Sequence, residues 1–214
     1  MYSQAQAMDR MYRYQRHFYD ASRKYYLLGR DRLIRDLSVQ PGQTVIEIGC
    51  GTGRNLVCAA RLYPQGRFFG LDASEEMLQS ARQKCAKRTG MQELVLRQGL
   101  AEALDYQAFG LTQGFDKAFF SYTLSMIPAW QPAVDAALRN LKSGGELWVV
   151  DFADQRRLPR WFAQVLQGWL ARFGVVHDPA LLIYLRQLQD QGLGQLRLES
   201  LGRDYAFLAC FRKG

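Results

Sequence analysis

The chain has 214 residues, 48% of them apolar, and a formal charge of +8, which fits one domain with a real core, or a domain plus a small appendage. This ordinary balance excludes disordered, collagen-like and solenoid classes, and no apolar run reaches the roughly 18 residues of a membrane span. Cys50, Cys58, Cys85 and Cys210 make no C-x-x-C pair and have only two histidines to join them, so reduced thiols are expected rather than a structural zinc or a disulfide framework.

Residues 1–27 are polar and aromatic and hold six of the eleven tyrosines. Their first stretch, MYSQAQAMDRMYRYQRHFYD, lacks the apolar centre of a signal peptide, so export by that route is not expected. Charge gathers at both flanks: +5 over residues 1–35, −2 over 36–154 and +5 over 155–214. Basic flanks attract an anionic membrane surface or a nucleic acid, or are simply solvated. A short helix is expected over residues 29–37, with Leu33, Ile34 and Leu37 on one face, before Pro41-Gly42 breaks the chain.

Strand-like and helix-like stretches then alternate. Strands are expected over residues 44–48 (TVIEI), 67–71, 93–98, 115–120 and 146–150, with helices over 54–63, 74–88 and 128–141 and a turn at Ser143-Gly144-Gly145. The strongest helical stripe lies in 158–173, where Trp161, Phe162, Val165, Leu166, Trp169, Leu170 and Phe173 share a face. A further helix over 179–189 precedes two closing strands, 195–200 and 204–211, joined at Gly202-Arg203. Alternating β and α units predict a mostly parallel sheet covered on both faces, and the closing pair adds an antiparallel hairpin at one edge.

The motif Val45-Ile46-Glu47-Ile48-Gly49-Cys50-Gly51-Thr52-Gly53-Arg54-Asn55 ends a strand, turns and opens a helix. Such a loop lets a ligand approach the backbone and offers it unpaired N–H groups. The spacing is G-x-G-x-G. A dinucleotide fingerprint would need a glycine at Arg54 or Leu56, and a phosphate loop would need G-K-[ST]; neither is present. Asp72 closes the second strand 19 residues past Gly53, where a carboxylate can accept from both hydroxyls of a ribose.

VIEIGCGTG followed by GLDAS resembles motif I and the second-strand motif of class I S-adenosylmethionine (AdoMet)-dependent methyltransferases. The resemblance implies a Rossmann-like class I methyltransferase fold, with a mostly parallel seven-stranded sheet, a C-terminal antiparallel hairpin strand and helices on both faces. It implies AdoMet as cofactor, held by Glu47, Gly49, Cys50, Gly51, Thr52, Gly53, Asn55, Asp72, Ala73, Met77 and Ser121. Members often place an acidic residue after the third strand to accept from the adenine amine. This chain has Gln98-Gly99-Leu100-Ala101, so backbone groups at Leu100 and Ala101 are expected to read the base. No metal site is expected.

The fourth strand runs into Ser121-Tyr122-Thr123-Leu124-Ser125-Met126-Ile127-Pro128 rather than the Asn/Asp-Pro-Pro-aromatic motif of enzymes that methylate base amines. The stretch from Met11 through Arg23-Lys24-Tyr25-Tyr26-Leu27-Leu28-Gly29-Arg30-Asp31-Arg32-Leu33-Ile34, with IEIGCGTGRN and SYTLSMIP, resembles the betaine-lipid (BtaB-like) N-methyltransferases over about residues 8–155. That resemblance implies three successive methylations of diacylglyceryl-homoserine to diacylglyceryl-trimethylhomoserine. A phosphatidylethanolamine N-methyltransferase, or another small-molecule or lipid methyltransferase, is the alternative within the class. An idle AdoMet-binding protein and an RNA-associated protein are the alternatives outside it.

The chemistry is compatible with these residues. Displacement at a sulfonium methyl asks mainly for a positioned amine lone pair, and orientation alone can supply ~7–11 kcal/mol. As methyls accumulate, the nitrogen becomes a fixed cation, which aromatic faces attract by ~0.5–2 kcal/mol each. The expected division is residues 1–37 as an aromatic, basic helical lid and 38–214 as the AdoMet domain. Tyr19, Tyr25 and Tyr122 are placed at the reacting amine, Tyr14 and Arg23 on the lipid head group, and Tyr26 and Arg30 beside the cofactor. The implied setting is cytoplasmic and peripheral to the membrane. The implied partners are the lipid amine, an anionic bilayer surface and the enzyme that makes the unmethylated homoserine lipid; no nucleic acid is expected.

Overall fold

The computed structural model describes residues 27–86, 94–159, 161, 164–166, 168 and 178–214. Its centre is β1 (Thr44–Ile48), whose five residues are all buried. A strand apolar on both faces is the signature of a parallel sheet covered from two sides. β2 (Arg67–Asp72) and β4 (Phe115–Ser121) flank β1 in parallel, and β3 (Val95–Gln98) adds parallel to β2. β5 (Leu141–Phe152) pairs parallel to β4, β7 (Ala206–Lys213) antiparallel to β5, and β6 (Gly194–Leu201) closes the edge against β7. The order is β3-β2-β1-β4-β5-β7-β6. The winding direction reverses between β1 and β4, which opens a crevice at the carboxyl ends of those strands, the place where such sheets take ligands.

The described helices are α1 (Arg30–Asp36), α2 (Arg54–Leu62), α3 (Glu75–Ala86), α4 (Trp130–Arg139) and α5 (Ala180–Asp190). Two apolar cores sandwich the sheet. On one face Ala133, Val134 and Ala137 of α4 and Leu185 of α5 pack on Phe69, Phe115 and Phe120. There Phe69, Phe109 and Phe115 meet edge to face, with centroids 5.5–5.8 Å apart, an arrangement the ring quadrupoles favour. On the other face Leu33 and Ile34 of α1 and Leu56 and Ala59 of α2 pack with Phe68, Phe119 and Trp148.

Several local expectations change. The turn at Ser143-Gly144-Gly145 lies inside one long β5, as an irregularity where pairing steps from Phe115↔Leu141 to Lys117↔Glu146; Gly144 takes φ +72° to make it. Three 3₁₀ turns, Ala101–Ala103, Tyr106–Phe109 and Leu124–Met126, were not legible as elements. The helix expected over 158–173 falls largely outside the described residues. Of those described there, Trp161 and Val165 are exposed and Leu166 is buried. The expected division after Leu37 does not separate two bodies among the described residues, because Leu27, Leu33, Ile34 and Leu37 belong to the second core.

One buried ion pair spans β4 and β5. Lys117 Nζ meets Glu146 with both side chains largely buried, and Trp148 Nε1 donates to the same carboxylate at 3.1 Å. Burial pushes the Glu146 carboxyl up, but the Lys117 and Trp148 donors and the Lys117 charge hold it below its ordinary range. Lys117→Ala removes the ion-pair partner of that largely buried carboxylate and is expected to destabilise the fold by about 3 kcal/mol. Thermal unfolding checks this, and Lys117→Met with Glu146→Leu should recover most of the loss.

Candidate active site

The glycine loop leaves β1 with Gly49, Gly51 and Gly53 all at positive φ, between +51° and +75°. Gly49 N–H and Cys50 N–H both donate to Leu71 O, at 2.8 and 3.0 Å. A Cβ on Gly49 would lie 2.2 Å from Thr123 Cγ2. The loop therefore packs directly on the chain leaving β4, and only glycine fits. Gly51 faces the opposite situation: a Cβ there would meet nothing within 4 Å. That side of the loop is open.

Asp72, at the end of β2, shapes the open side. Its Oδ2 accepts Gly51 N–H at 2.6 Å and its Oδ1 accepts Ser74 N–H at 2.9 Å. One carboxylate thus holds the glycine loop and the start of α3 in register. Each oxygen has lone-pair capacity beyond these contacts, enough to accept from ribose hydroxyls. Around it, Gly99 N–H donates to Asp72 O and Gln98 Nε2 to Ala73 O, both at 3.0 Å. This brings the Leu100–Ala101 corner against Asp72 and Ala73. Leu100 is extended and exposed, Ala101 is buried, and Met77 is buried on α3. An apolar slot beside a carboxylate suits a nucleoside, with the base against the side chains and the sugar on the acid.

Glu47 lies at the other end of the loop, fully inside the protein. Its Oε1 accepts Asn55 Nδ2 at 2.7 Å, and its Oε2 is buried without a hydrogen-bond partner. Burial pushes its carboxyl up to about 8, against the opposing pull of the Asn55 donor and the Arg30 charge. Ser121 Oγ, at the end of neighbouring β4, is buried without a partner as well. A buried polar atom left unmade costs ~1–3 kcal/mol, and two of them lie at the carboxyl ends of adjacent strands. A ligand bringing an ammonium there would satisfy both. Thr52, in the same loop, is half-buried. Burial pushes the Cys50 thiol well above its ordinary range, and its sulfur packs against Gly70.

Tyr122 is placed differently from the expectation that it faces the amine. It takes φ +55°, which turns the ring into the second core against Phe152, with centroids 4.6 Å apart. Its hydroxyl donates to Leu28 O at 2.6 Å. It clasps the chain entering α1 rather than meeting a substrate. Arg54, the first residue of α2, pairs with Asp31 of α1 at 2.6 Å, a second tie. Arg30 is close enough for its charge to lower both Glu47 and Tyr122. Tyr14, Tyr19, Arg23, Tyr25 and Tyr26 lie outside the described residues.

Sequence reasoning missed Asp151. It is 1% exposed at the end of β5, and its oxygens accept Ser125 N–H at 3.0 Å and Phe152 N–H at 2.8 Å. The signal was available: it is an acid closing an apolar strand, as Asp72 is on β2. No cluster of metal-ligating side chains occurs among the described residues.

The sheet order, the open glycine loop and the carboxylate at the end of β2 define an α/β domain whose crevice suits a nucleoside-bearing ligand. The chain belongs to the methyltransferase-domain family, whose model matches residues 40–176, and the methyl donor this membership implies is AdoMet. The residues fit that group. The orphaned Glu47 and Ser121 atoms suit its amino acid end, and Asp72 with Leu100 suits its nucleoside end.

Among curated relatives, the demethylmenaquinone methyltransferase of Desulfitobacterium hafniense is 31% identical over 58% of this chain and 48% of its own. The trans-aconitate 2-methyltransferase of an Azoarcus species is 30% identical over 55% of this chain and 44% of its own. The chain thus spans about half the length of these relatives. Among solved structures, a SAM-dependent methyltransferase of Thermotoga maritima, titled a possible histamine N-methyltransferase, aligns with TM-score 0.66 at 19% identity, over 97% of this chain and 100% of its own. That likeness establishes the shared fold.

Proposed function

We propose that the protein is an AdoMet-dependent N-methyltransferase of diacylglyceryl-homoserine, acting three times on one amine to form the trimethylated betaine lipid. The observation that carries this reading is the segment Leu27-Leu28-Gly29-Arg30-Asp31-Arg32-Leu33-Ile34. It is the part of the betaine-lipid resemblance that is not shared with methyltransferases at large, and it is tied to the donor site. Tyr122 donates to Leu28, and Arg54 at the glycine loop's exit pairs with Asp31. A segment specific to the acceptor would need to be coupled to the donor in this way.

AdoMet supplies a methyl carbon on a cationic sulfur. The chain's own task is to orient and to exclude water. Asp72 and the glycine loop fix the donor, while the crevice holds the neutral amine behind the methyl carbon. With AdoMet held by Asp72 and the glycine loop, its methyl group would pass to the amine lone pair, the electrons of the S–C bond leaving with sulfur. The nitrogen then loses a proton to solvent before the next round, and after the third transfer it has none to lose. Positioning carries the rate; no strong base is required.

Access to a lipid head group is served by the exposed Trp161 and Val165 and by the basic flanks, worth roughly 1 kcal/mol per Lys or Arg at an anionic surface. No helix among the described residues is long and apolar enough to cross a membrane.

The demethylmenaquinone methyltransferase relatives favour a second reading, an apolar quinol ring as acceptor. One experiment separates the two. Protein and AdoMet are incubated with diacylglyceryl-homoserine, phosphatidylethanolamine or demethylmenaquinol, and product masses are read. Lipids bearing one, two and three added methyls from the homoserine substrate are expected. Turnover of either other acceptor, without those lipids, overturns the reading.

A further inference from the structure

Three arginines fall within the seven residues of α1, RDRLIRD, and a fourth, Arg54, opens α2. Arg30, Arg32, Arg35 and Arg54 line one open cavity of about 490 Å³, and among its described lining residues Asp31 is the one acid. The turn between β6 and β7, at Leu201 and Gly202, forms another side. Leu28 also lines the cavity and is 46% exposed. The cavity borders the donor site, because Leu28 O accepts the Tyr122 hydroxyl and Arg54 directly follows Gly53 of the glycine loop.

The four guanidinium groups are not equally committed. Arg32 grips Glu199 of β6 through two N–H groups, at 2.5 and 2.7 Å, and reaches Asp36 at 3.3 Å. Those bonds tie α1 to the sheet edge and balance its charge. Arg54 uses Nη1 for Asp31 and for Asn55 Oδ1, and its Nε and Nη2 donors remain for a ligand. Arg35 makes no ion pair with a carboxylate of the described residues; its charge acts on Asp31 from beyond ion-pair distance. Gathering these like charges around one space raises a positive potential that an anion relieves. Planar guanidinium forks match the paired oxygens of a phosphate.

Two features choose among anions. No aromatic ring of the described residues lines the cavity, whereas single-stranded nucleic acid is held on rings against which its bases stack. An exposed leucine beside arginines instead matches a bilayer surface, where the cations meet head groups and the apolar side chain enters the acyl boundary.

We propose that this cavity seats the phosphate of an anionic phospholipid and so docks the donor crevice against the bilayer. Arg35 and Arg54 hold the phosphate, and Leu28 enters the interface. The inference deepens the lipid-acceptor reading and rests on it for the purpose of docking. The class of ligand stands on the cavity itself.

The test is co-sedimentation of the protein with vesicles of phosphatidylcholine, alone or mixed with phosphatidylglycerol. Binding to the mixed vesicles is expected, and Arg35→Gln is expected to weaken it about fivefold. Leu28→Ala should weaken it about threefold, which keeps the test open should Arg35→Gln fold poorly. Affinity for S-adenosylhomocysteine should not change in either variant. Arg139→Gln removes the same charge from the exposed end of α4, on the other face of the sheet, and is expected to change nothing. Equal binding to phosphatidylcholine alone, no loss in either cavity variant, or an equal loss in Arg139→Gln overturns the proposal. Soluble glycerol phosphate, at the same phosphate concentration, should leave vesicle binding in place. Full displacement by it, or tighter binding of single-stranded RNA through Arg35, also overturns the docking. Diacylglyceryl-homoserine carried in the mixed vesicles separates this inference from the lipid reading. If it is methylated with the same KM by wild type and Arg35→Gln, the docking fails and the lipid reading stands. If it is not methylated while vesicle binding still depends on Arg35 and Leu28, the lipid reading fails and the docking stands.

Discussion

Asp72→Ala will reduce affinity for S-adenosylhomocysteine by about a hundredfold or more while leaving the sheet intact. The carboxylate does two jobs at once. It accepts Gly51 N–H at 2.6 Å and Ser74 N–H at 2.9 Å, and it is the carboxylate proposed to accept from the ribose. Hydrogen bonds to a charged group contribute about 1.5–3 kcal/mol each, and losing two corresponds to two or more powers of ten in binding. Asp72→Asn tests the charge separately: its amide nitrogen opposes one of the two N–H donors, so the loop loses one tie and the ligand one acceptor. Calorimetry gives the affinity of each variant, and thermal unfolding shows that the domain persists. Retention of wild-type affinity by Asp72→Ala would remove the nucleoside end from this site.

Glu47 governs the second large effect, which is a pH dependence. In the folded, ligand-free protein its carboxyl keeps the proton up to about 8, against an ordinary value of 4.5. The folded state therefore binds more protons than the unfolded state between those two values. The stability this group contributes is complete below 4.5 and is lost as pH rises through 8. The slope from this one group is at most about 1.4 kcal/mol per pH unit. Glu47→Gln keeps an acceptor for Asn55 and cannot ionise, so its melting temperature should fall less than that of the wild type from pH 5 to pH 9. An ammonium at the orphaned Oε2 favours the ionised carboxylate, so ligand binding below pH 8 should release a proton. Titrations in buffers of different ionisation enthalpy read that proton directly. The same slope in Glu47→Gln as in the wild type would contradict this account of the buried acid.

Some of this molecule was legible from its sequence because the physics is local. TVIEI had to be a two-faced central strand, the glycines had to turn tightly, and Asp72 had to end the next strand. The alternation of units led to the parallel sheet, and two short apolar runs around Gly202 led to the closing hairpin. Other features depend on what lies across the fold. Nothing local says that Tyr122 would adopt positive φ; that follows from Phe152 and the Leu28 carbonyl, distant in sequence, receiving its ring and hydroxyl. Ser143-Gly144-Gly145 has turn chemistry, yet β4 pairs with Leu141 before it and Glu146 after it, which keeps it within one strand. The cavity bordering the carboxyl ends of β4 and β5 draws on Ser125, Asp151 and Asp178, which span more than fifty positions end to end, so only the packed sheet brings them together. α1 looked like part of a lid from its composition, but its buried Leu33 and Ile34 show it to be a wall of the second core.

The measurement that bears most directly on the whole account is a calorimetric titration of the purified protein with S-adenosylhomocysteine and, separately, with NADH. The open loop at Gly51, the Asp72 carboxylate and the orphaned Glu47 and Ser121 atoms predict one saturable site for the first ligand and none for the second. Uptake of NADH with no binding of S-adenosylhomocysteine would contradict it.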